Sequence, residues 1–522
     1  MNVAHLLVGQ AGLRPNAPAI VEPGASTSFA ELDDRSARCA GFLAEVGIRA
    51  GDHLLVFVPM SIDLYLALIA IFRIGAVATF LDPSAGGDFI DRCCQRVRPR
   101  ALIAVTKAHL LRLTSRSLRE IPRKFTVGWP VPGARRWEHA SGSSPVEAIT
   151  ERVDDDPALV TFTSGSTGLP KGAVRSHGFL AAQHAALERA IELKAGEVDL
   201  ATLPIFSLAN LASGVTTVIP DAELRRPGSI RPGPVLRQIA ETKVTRCVAS
   251  PAFFRRLLDE PGAASRLRSV NRIYTGGAPV FPDLLEQLQR SMPQASVAAV
   301  YGSTEAEPIA HVEWAEISSD DQTAMFNGAG LLAGRPVNEI DVRIVENQWG
   351  TPMPPSTRAQ FERQVLPARK PGEIVVHGRH VLRGYLGGVG EEQTKWRVDD
   401  EVWHRTGDAG YLDESGRLWL LGRAEAKIDD EDGTVYPFAV ECAASRVKGV
   451  NRSALIRHHE QRWLVVQPNL GAPADLAAVL MRDLVWAKIR RVELVKEIPV
   501  DKRHNAKVDY PALRKMLSGR PA

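Results

Sequence analysis

The chain has 522 residues, of which 45% are hydrophobic and 24% are charged, and its formal net charge is +4. A single hydrophobic core stops growing at roughly 250–300 residues, so this length predicts at least two domains. The composition excludes a disordered or collagen-like chain, and the mild charge does not predict binding to nucleic acid.

Targeting signals and cysteines indicate the compartment. The N-terminus has no basic segment ahead of its apolar residues, which argues against a secretory signal. The most apolar run, at 64–72, is much shorter than the roughly 20 residues of a membrane span, so a buried helix is expected there. The cysteine number is odd and no CxxC pair exists, which favours reduced, buried thiols in a cytoplasmic protein over disulfides or a zinc site. The cysteines are Cys39, Cys93, Cys94, Cys247 and Cys442.

Predicted strands and helices alternate through most of the chain. A strand at 54–58, a helix at 61–74 and a strand at 76–81 form the first such unit. The same order recurs between 246 and 301, which predicts parallel sheets covered by helices. After Pro336 the pattern changes to short alternating strands with a Pro-rich loop at 350–371, followed by strands and turns over 403–422.

A glycine-rich loop is the strongest chemical signal. Residues 160–172 read VTFTSGSTGLPKG, an apolar strand followed by small and hydroxylated residues and a lysine. Glycines let backbone N–H groups close around phosphate oxygens, and the hydroxyls and lysine add further donors. The spacing differs from a Walker A loop, so P-loop kinases are disfavoured. The candidate phosphate-binding residues are Thr163, Ser164, Gly165, Ser166, Thr167, Gly168 and Lys171.

Four further motifs follow in order and resemble those of the adenylate-forming superfamily, which includes acyl-CoA synthetases and adenylation domains. They are IYTGGAP at 273–279, YGSTE at 301–305, HRTGDAGY at 404–411 with LDESGRLWLLGR ending at Arg423, and DKRHNAK ending at Lys507. The resemblance implies that the enzyme converts a carboxylic acid and ATP into an acyl-adenylate and pyrophosphate.

The resemblance also implies residue roles. Lys507, Glu305 and Lys171 are expected to be catalytic, with Glu305 and Thr167 at a magnesium ion. Tyr301 offers a flat face for adenine, and Asp408 is expected to accept hydrogen bonds from the ribose hydroxyls. The remaining nucleotide contacts are expected at Gly276, Gly277, Ala278, Gly302, Ser303, Thr304 and Arg423.

The fold that the resemblance implies is α/β. A large N-terminal domain, residues 1–423, is expected to contain helix-covered, mostly parallel sheets and a small β-barrel-like subdomain. A small, mobile α+β domain, residues 424–522, is expected to carry Lys507. Glu425 and Ala426 stand where the family has an Asp or Lys hinge residue, so the identity of the pivot is open.

The second reaction step has two alternatives. The usual acceptor is coenzyme A, but Ser207 replaces the histidine of the common acyl gate, and the acidic residues 429–432 follow the hinge. Acidic side chains near a polyanionic cofactor would be unfavourable, unless they face away from it. The gate, GVTTVIP at 214–220 and GTVY at 433–436 resemble olefin-pathway β-lactone synthetases, in which a 3-hydroxyl displaces AMP without coenzyme A. This favours lactone closure slightly over thioester formation.

The substrate is predicted to be a small carboxylic acid with an apolar body, such as a long-chain or 3-hydroxy fatty acid. The predicted acyl pocket contains Phe206, Ser207, Leu208 and Asn210, although the apolar residues of this segment could equally belong to the core. Loading of an acyl carrier protein and a non-catalytic adenylate-binding protein are the rival functions. No nucleic-acid partner and no integral membrane span are expected, and the oligomeric state is left open.

Overall fold

The computed structural model describes residues 1–164, 170–500 and 507–520, without the side chains of Thr163 and Ser164. Its compact parts are two units. The first contains Met1–Asp221 and Arg379–Glu392, and the second contains Ala222–Gly378 and Gln393–Ala522. Each unit is described by itself.

The first unit contains eleven strands and eight α-helices within its described residues up to Asp221. The strands are β1 (Pro18–Glu22), β2 (Ala25–Ser28), β3 (His53–Phe57), β4 (Val77–Phe80), β5 (Ala101–Val105), β6 (Arg123–Val127), β7 (Arg135–Arg136), β8 (Pro157–Ser164), β9 (Pro170–Ser176), β10 (Val198–Ala201) and β11 (Thr216–Val218). The helices are α1 (Ala4–Val8), α2 (Gln10–Leu13), α3 (Phe29–Glu45), α4 (Ile62–Arg73), α5 (Gly87–Val97), α6 (Arg116–Glu120), α7 (His177–Ala190) and α8 (Pro204–Ser213).

Parallel pairing dominates the sheets of this unit. One sheet has the order β7-β6-β5-β3-β4-β8-β9, and only β9 runs antiparallel to its neighbour. Strands β10, β11 and β1 also pair in parallel, and β2 is antiparallel to β1. Helix α4 connects β3 to β4 and is buried along nearly its whole length, which explains why its sequence is apolar except for Asp63, Tyr65 and Arg73. The predicted strand–helix–strand unit and buried helix are confirmed.

The second unit begins with three parallel strands, and most of its later strand pairs are antiparallel, with one parallel pair near its C-terminal end. Its strands are β12 (Arg246–Ala249), β13 (Arg272–Gly276), β14 (Ser296–Ser303), β15 (Ala306–Glu313), β16 (Leu331–Pro336), β17 (Ile340–Val345), β18 (Gly372–Gly378), β19 (Lys395–Val398), β20 (Glu401–Leu412), β21 (Leu418–Arg423), β22 (Ile428–Asp430), β23 (Gly433–Val435), β24 (Val450–His458), β25 (Gln461–Pro468) and β26 (Arg491–Leu494). The later helices of the chain are α9 (Pro232–Thr242), α10 (Pro251–Leu258), α11 (Ala263–Arg266), α12 (Pro282–Ser291), α13 (Ser319–Ala324), α14 (Arg358–Glu362), α15 (Glu391–Thr394), α16 (Pro437–Ser445), α17 (Leu476–Asp483) and α18 (Tyr510–Leu517).

The strand order of the second unit is β17-β18-β20-β21-β16-β15-β14-β13-β12, with β19 beside β20. Strands β12, β13 and β14 are parallel, and from β14 onward every neighbour is antiparallel. The α/β class is therefore confirmed. The change to antiparallel pairing begins at β15, ahead of the change of sequence pattern at Pro336. The predicted loop at 350–371 is wrong over Arg358–Glu362, which forms α14.

The C-terminal residues have apolar clusters of their own. Strands β24, β25 and β26 form a separate sheet, and β22 pairs with β23 in a hairpin. Two core clusters are drawn wholly from residues 428–517, one around Leu464 and one around Trp463. These residues form the predicted α+β arrangement, whereas the domain boundary after Arg423 stays a prediction.

All five cysteine thiols are free and buried, as the sequence predicts. Burial raises the pKa of Cys39, Cys93 and Cys94 to about 12, which keeps these thiols protonated. Among the residues that the structure describes, no helix combines the length and the apolar content needed to cross a bilayer.

A buried ion pair joins β18 to β20. The Arg405 guanidinium donates two hydrogen bonds of 2.8 Å to the Glu373 carboxylate, and both side chains are almost fully buried. Arg405 also donates to the Thr351 carbonyl at 2.7 Å. Removal of one partner leaves a buried charge without its counterion, so the pair is costly to break from one side.

We expect Arg405→Met to lower the free energy of unfolding by about 3–5 kcal/mol, because Glu373 then stays buried and unpaired. Urea denaturation of the whole chain measures this change. Arg290→Ala, which removes an exposed pair with Glu286 on α12, is the control and should cost less than about 1 kcal/mol. Equal effects of the two substitutions would contradict the prediction.

Candidate active site

The phosphate loop begins at the end of β8, in the first unit. Residues Gly165 to Leu169, which include Ser166, Thr167 and Gly168, lie outside the described residues, as do the side chains of Thr163 and Ser164. On the returning strand β9, Lys171 pairs in register with Thr163 and is buried. The two strands that flank the predicted loop thus pair antiparallel as a hairpin, and β8 also pairs in parallel with β4.

Two residues that sequence reasoning missed hold this hairpin. The Arg96 guanidinium donates to the carbonyls of Pro170 and Leu386, so α5 anchors the end of the loop. Gly390 has a φ of +91°, and a Cβ atom there would lie 2.4 Å from Cε of Lys171. Glycine is therefore required where the lysine side chain passes. Neither residue belongs to a motif recognisable from sequence spacing.

The predicted acyl-gate residues all lie on α8, with Pro204 at its first position. Phe206, Ser207, Leu208 and Asn210 are buried. Leu208 belongs to the main core cluster of this unit and also lines an apolar pocket between α1, α7 and α8. For Leu208 the core interpretation therefore holds, and its contact with an acyl chain stays a prediction.

Two of these gate residues have polar neighbours. The Asn210 amide donates to Asp199 at 2.8 Å and to the Thr217 hydroxyl at 3.2 Å, which ties α8 to β10 and β11. The Ser207 hydroxyl lies beside the buried Tyr65 hydroxyl, where burial raises the pKa of the Tyr65 phenol and Ser207 opposes that rise. Asn210 thus has a structural role, independent of any ligand.

In the second unit, the IYTGGAP motif begins in β13 and turns at its end. A Cβ atom on Gly276 would lie 2.5 Å from the Val300 carbonyl oxygen of the neighbouring strand, so only glycine fits there. Gly277 has a φ of +78° and open space where a side chain would be, and Ala278 is half-buried. The backbone at Gly277 is therefore accessible to a nucleotide.

The YGSTE motif ends β14 and forms the turn into β15. Tyr301, Gly302 and Ser303 close the strand, and Thr304 and Glu305 form the turn. The Ser303 hydroxyl accepts hydrogen bonds from the N–H groups of Glu305 and Ala306, each at 3.2 Å. These two hydrogen bonds fix the turn that carries the Glu305 carboxylate.

Three predicted nucleotide residues meet at one carboxylate. The Tyr301 hydroxyl donates to Asp408 at 2.8 Å, and the Arg423 guanidinium donates to its other oxygen at 2.9 Å. Asp408 and Arg423 face each other in the register of β20 and β21. Burial and the Asp408 charge raise the pKa of Tyr301, so its hydroxyl stays a donor.

Trp349 adds an aromatic surface that sequence reasoning missed. The guanidinium of Arg423 lies 6.0 Å from the centre of its ring, and that of Arg405 lies 5.5 Å away. A Cβ atom on Gly407 would lie 2.9 Å from this ring and 2.6 Å from the Arg423 guanidinium. The glycine of the TGD motif is therefore needed to bring Trp349 and Arg423 together.

His404 and Lys395 form a buried polar pair beside the YGSTE turn. Nδ1 of His404 lies 3.2 Å from Nζ of Lys395 and 3.1 Å from the Thr394 carbonyl oxygen. Burial and the adjacent Lys395 lower the pKa of His404 to about 3, and the Glu305 charge opposes this. The imidazole is thus neutral at physiological pH. His404 is the first residue of the HRTGDAGY motif, and no role was predicted for it.

The described residues fit a magnesium ion held mainly by phosphates. No group of three or more His, Cys, Asp and Glu side chains converges anywhere in the described part of the chain. Mg²⁺ commonly binds through one or two carboxylates together with substrate phosphates and water. Glu305, in an ordered turn, supplies a carboxylate of this kind.

The acidic residues 429–432, which follow the predicted hinge, have basic neighbours. Asp429 contacts Lys427 at 2.9 Å, Asp430 contacts the buried Arg462, and Asp432 contacts Arg490 at 2.9 Å. Glu431 is 88% exposed and lies 3.9 Å from the same Arg490 guanidinium. Three basic side chains thus face the four carboxylates, which removes most of the electrostatic argument against coenzyme A.

Lys507 is exposed and directly follows residues 501–506, which lie outside the described ranges. Val508 pairs with Val500, and the Asp509 N–H donates to the Pro499 carbonyl at 2.9 Å. The Tyr510 hydroxyl donates to the buried Glu441 carboxyl at 3.2 Å, and the Leu455 N–H donates to the same oxygen at 3.0 Å. These contacts fix the segment that follows Lys507.

Burial raises the pKa of Glu441 to about 7 from an ordinary value of 4.5. Between pH 4.5 and about pH 7, Glu441 is ionised in the unfolded chain but keeps its proton in the folded chain. Stability that is fully present below pH 4.5 is therefore lost as the pH rises through 7, by about 3 kcal/mol.

We expect Glu441→Gln to flatten this pH dependence, because the amide oxygen still accepts both hydrogen bonds but does not titrate. Thermal denaturation at several pH values between about 5 and 8 measures the difference. Glu431→Gln, at the exposed acidic turn, is the control and should follow the wild type. An unchanged slope in Glu441→Gln would contradict the prediction.

Comparison with known proteins gives consistent matches. The family model described as AMP-binding enzyme matches residues 8–386. The chain is 32% identical to the olefin beta-lactone synthetase of Xanthomonas campestris pv. campestris, over 97% of this chain and 96% of that protein. It is 26% identical to 4-coumarate–CoA ligase 5 of Oryza sativa subsp. japonica, over 96% and 91% respectively.

Among solved structures, ATP-bound MatB from Rhodopseudomonas palustris matches with a TM-score of 0.81 over 99% of each chain, at 22% identity. This likeness shows a shared fold. Together with the family match over most of the chain, it leads to one conclusion: the chain belongs to the AMP-binding enzyme family.

Proposed function

We propose that this enzyme adenylates a fatty-acyl-type carboxylic acid with ATP and then closes a 3-hydroxy acyl-adenylate to a β-lactone. The observation that carries the adenylation step is the hydrogen-bonded set of Tyr301, Asp408 and Arg423, beside the open backbone of Gly277. The observation that carries lactone closure is the 32% identity to an olefin beta-lactone synthetase over nearly the full length.

Several residues of the chain would each have a separate role in the adenylation step. Asp408 would accept hydrogen bonds from the ribose, and Tyr301 and Arg423 would orient that carboxylate. Lys171 and the loop from Thr163 to Gly168 would bind phosphates, and Lys507 would neutralise charge where the carboxylate attacks the α-phosphorus. Glu305 and Thr167 would hold Mg²⁺, which when bound neutralises the charge of the departing pyrophosphate.

The second step would be intramolecular. The oxygen of the 3-hydroxyl attacks the acyl carbon, the bond to the AMP oxygen breaks, and the hydroxyl proton is released. The product equals the acid less one water. Because nucleophile and carbonyl belong to the same molecule, the reaction benefits from a high effective concentration.

Thioester formation with coenzyme A is the second candidate. Two observations favour it: the locally paired charges of the acidic turn, and the 26% identity to a 4-coumarate–CoA ligase over most of the chain. The similarity to the lactone synthetase is higher, so lactone closure is the first candidate.

We also propose that residues 424–522 form a mobile domain that turns near the short helical turn Ala424–Ala426. The two core clusters confined to 428–517 support an independently packed body. The Asn347 amide donates to the Ala424 carbonyl at 3.1 Å, so a rotation that moves the Ala424 carbonyl would break this hydrogen bond.

The decisive experiment incubates the enzyme with ATP, Mg²⁺ and a long-chain 3-hydroxy acid, with and without coenzyme A, and identifies products by mass spectrometry. We expect AMP and a product lighter than the acid by one water, in equal yield under both conditions. The matched acid without the 3-hydroxyl should give acyl-adenylate and no such product.

Two results would contradict this proposal in different ways. An acyl-CoA that forms only with coenzyme A, and no lactone, would support the second candidate. Absence of AMP with every acid tested would overturn adenylation itself.

We expect Lys507→Ala to abolish acyl-adenylate formation while ATP binding persists, because the charge that Lys507 would neutralise develops during the reaction. Pyrophosphate release and calorimetric ATP binding measure the two properties. Lys515→Ala, which removes an exposed lysine of α18, is the control and should retain activity. Normal pyrophosphate release from Lys507→Ala would remove this residue from the mechanism.

A further inference from the structure

Positive charge is concentrated in one segment of the first unit. Residues 106–138 contain eight Lys and Arg residues and two Glu, a net charge of +6, whereas the whole chain carries +4. The rest of the chain therefore has a net charge of −2. Both glutamates have arginine partners, Glu120 with Arg116 and Glu138 with Arg136. The exposed basic residues are Lys107, Arg116, Arg119, Arg123, Arg135 and Arg136.

Three large apolar side chains protrude from the same segment. Leu110 is 63% exposed, Leu113 is 76% exposed and Trp129 is 81% exposed. Leu110 and Leu113 lie three residues apart on the 3-10 helix Thr106–Leu113, and side chains with this spacing eclipse each other in a 3-10 helix. Lys107 lies three residues earlier, so a cation precedes the two leucines on the same face.

The loop that carries Trp129 is held against this helix. The Trp129 carbonyl accepts hydrogen bonds from the Thr106 hydroxyl at 2.9 Å and the Thr126 hydroxyl at 3.2 Å. The Arg112 guanidinium donates to the Pro132 carbonyl at 3.0 Å. The tryptophan backbone is thus fixed to the helix that carries the two leucines, while its ring is exposed.

The helix itself is also tied down. The Arg119 guanidinium donates to the carbonyls of Arg112 and Leu113 at 2.9 and 3.2 Å, which closes the C-terminal end of the 3-10 helix. The nearest carboxylate on α5, Asp91, accepts hydrogen bonds from the Ser115 hydroxyl and the Ser117 N–H. It stabilises the start of α6, and the exposed cations of the segment still outnumber the carboxylates around them.

From this surface, formed by Lys107, Leu110, Leu113 and Trp129 with the surrounding arginines, we infer that the protein docks reversibly on anionic lipid bilayers. Apolar side chains enter the interfacial layer, tryptophan is favoured at that depth, and cations bind the negative surface. Neither a few apolar residues nor a basic patch alone gives stable attachment, and this segment supplies both. A nucleic-acid backbone offers no apolar surface for two leucines on one face to contact. A lipid bilayer therefore matches this surface better than a nucleic acid does.

The test uses the full-length protein and needs no catalytic activity. Co-sedimentation is measured with vesicles of phosphatidylcholine alone and of phosphatidylcholine with about one third phosphatidylglycerol. We expect binding to the anionic vesicles, at least tenfold weaker binding to the neutral ones, and a loss of binding when salt is raised to about 1 M.

Matched variants assign the binding to this surface. Lys107→Glu should weaken binding to anionic vesicles about five-fold or more, since each basic residue near such a surface contributes about that factor. Trp129→Ala with Leu113→Ser should weaken it more than tenfold. Lys370→Glu and Leu470→Ser, which alter an exposed lysine and a fully exposed leucine elsewhere, should bind like the wild type.

Several results would overturn the inference. These are no binding to anionic vesicles, equal binding to both vesicle types, or equal effects of the surface and control variants. Sedimentation that shows a dimer in the wild type and a monomer in Trp129→Ala with Leu113→Ser would assign the surface to self-association. Competition by double-stranded DNA at equal phosphate concentration, with no preference for vesicles, would assign it to nucleic acid.

Discussion

A single carboxylate joins three of the predicted nucleotide-binding residues in the second unit. Asp408 receives hydrogen bonds from Tyr301, 107 residues earlier, and from Arg423, 15 residues later. A half-buried carboxylate needs such partners, and the bond to the guanidinium is charge-assisted and therefore strong. Because the three residues lie on β14, β20 and β21, their contact fixes where three motifs stand relative to one another. Trp349 and Gly407 both lie beside the Arg423 guanidinium that makes this contact.

The motifs and the fold class could be predicted from the sequence because each depends on local information. Helix α4 is apolar on all sides, and its burial follows directly. Helix α14 was missed although Thr357 and Gln360 form a capping box at its start, a local signal that the surrounding prolines obscured. Its Phe361 packs against Trp396 and Trp403 at ring distances of 4.9 and 4.6 Å, contacts that no local pattern reveals.

The residue types of the candidate site could be predicted from the motifs, but the contacts that position them could not. Arg96 and Gly390 act on the phosphate hairpin through contacts between residues far apart in sequence, and neither is part of a repeated spacing. Formal charge was also a poor guide. Asp429, Asp430 and Asp432 look like a negative patch when counted along the chain, but each has a basic neighbour in the fold. Ion pairs form between residues that the fold brings together. The number of acidic residues in the segment 429–432 is therefore no argument for or against coenzyme A.

The five buried thiols have a practical consequence. A thiol reacts with electrophilic dyes as its thiolate. Burial blocks access to all five thiols and keeps those of Cys39, Cys93 and Cys94 protonated. The natural protein therefore offers a nearly silent background for site-specific labelling. A single cysteine introduced on α18 and another on α12 could carry a fluorophore pair, and the distance between the dyes would follow any rotation of the C-terminal residues during turnover.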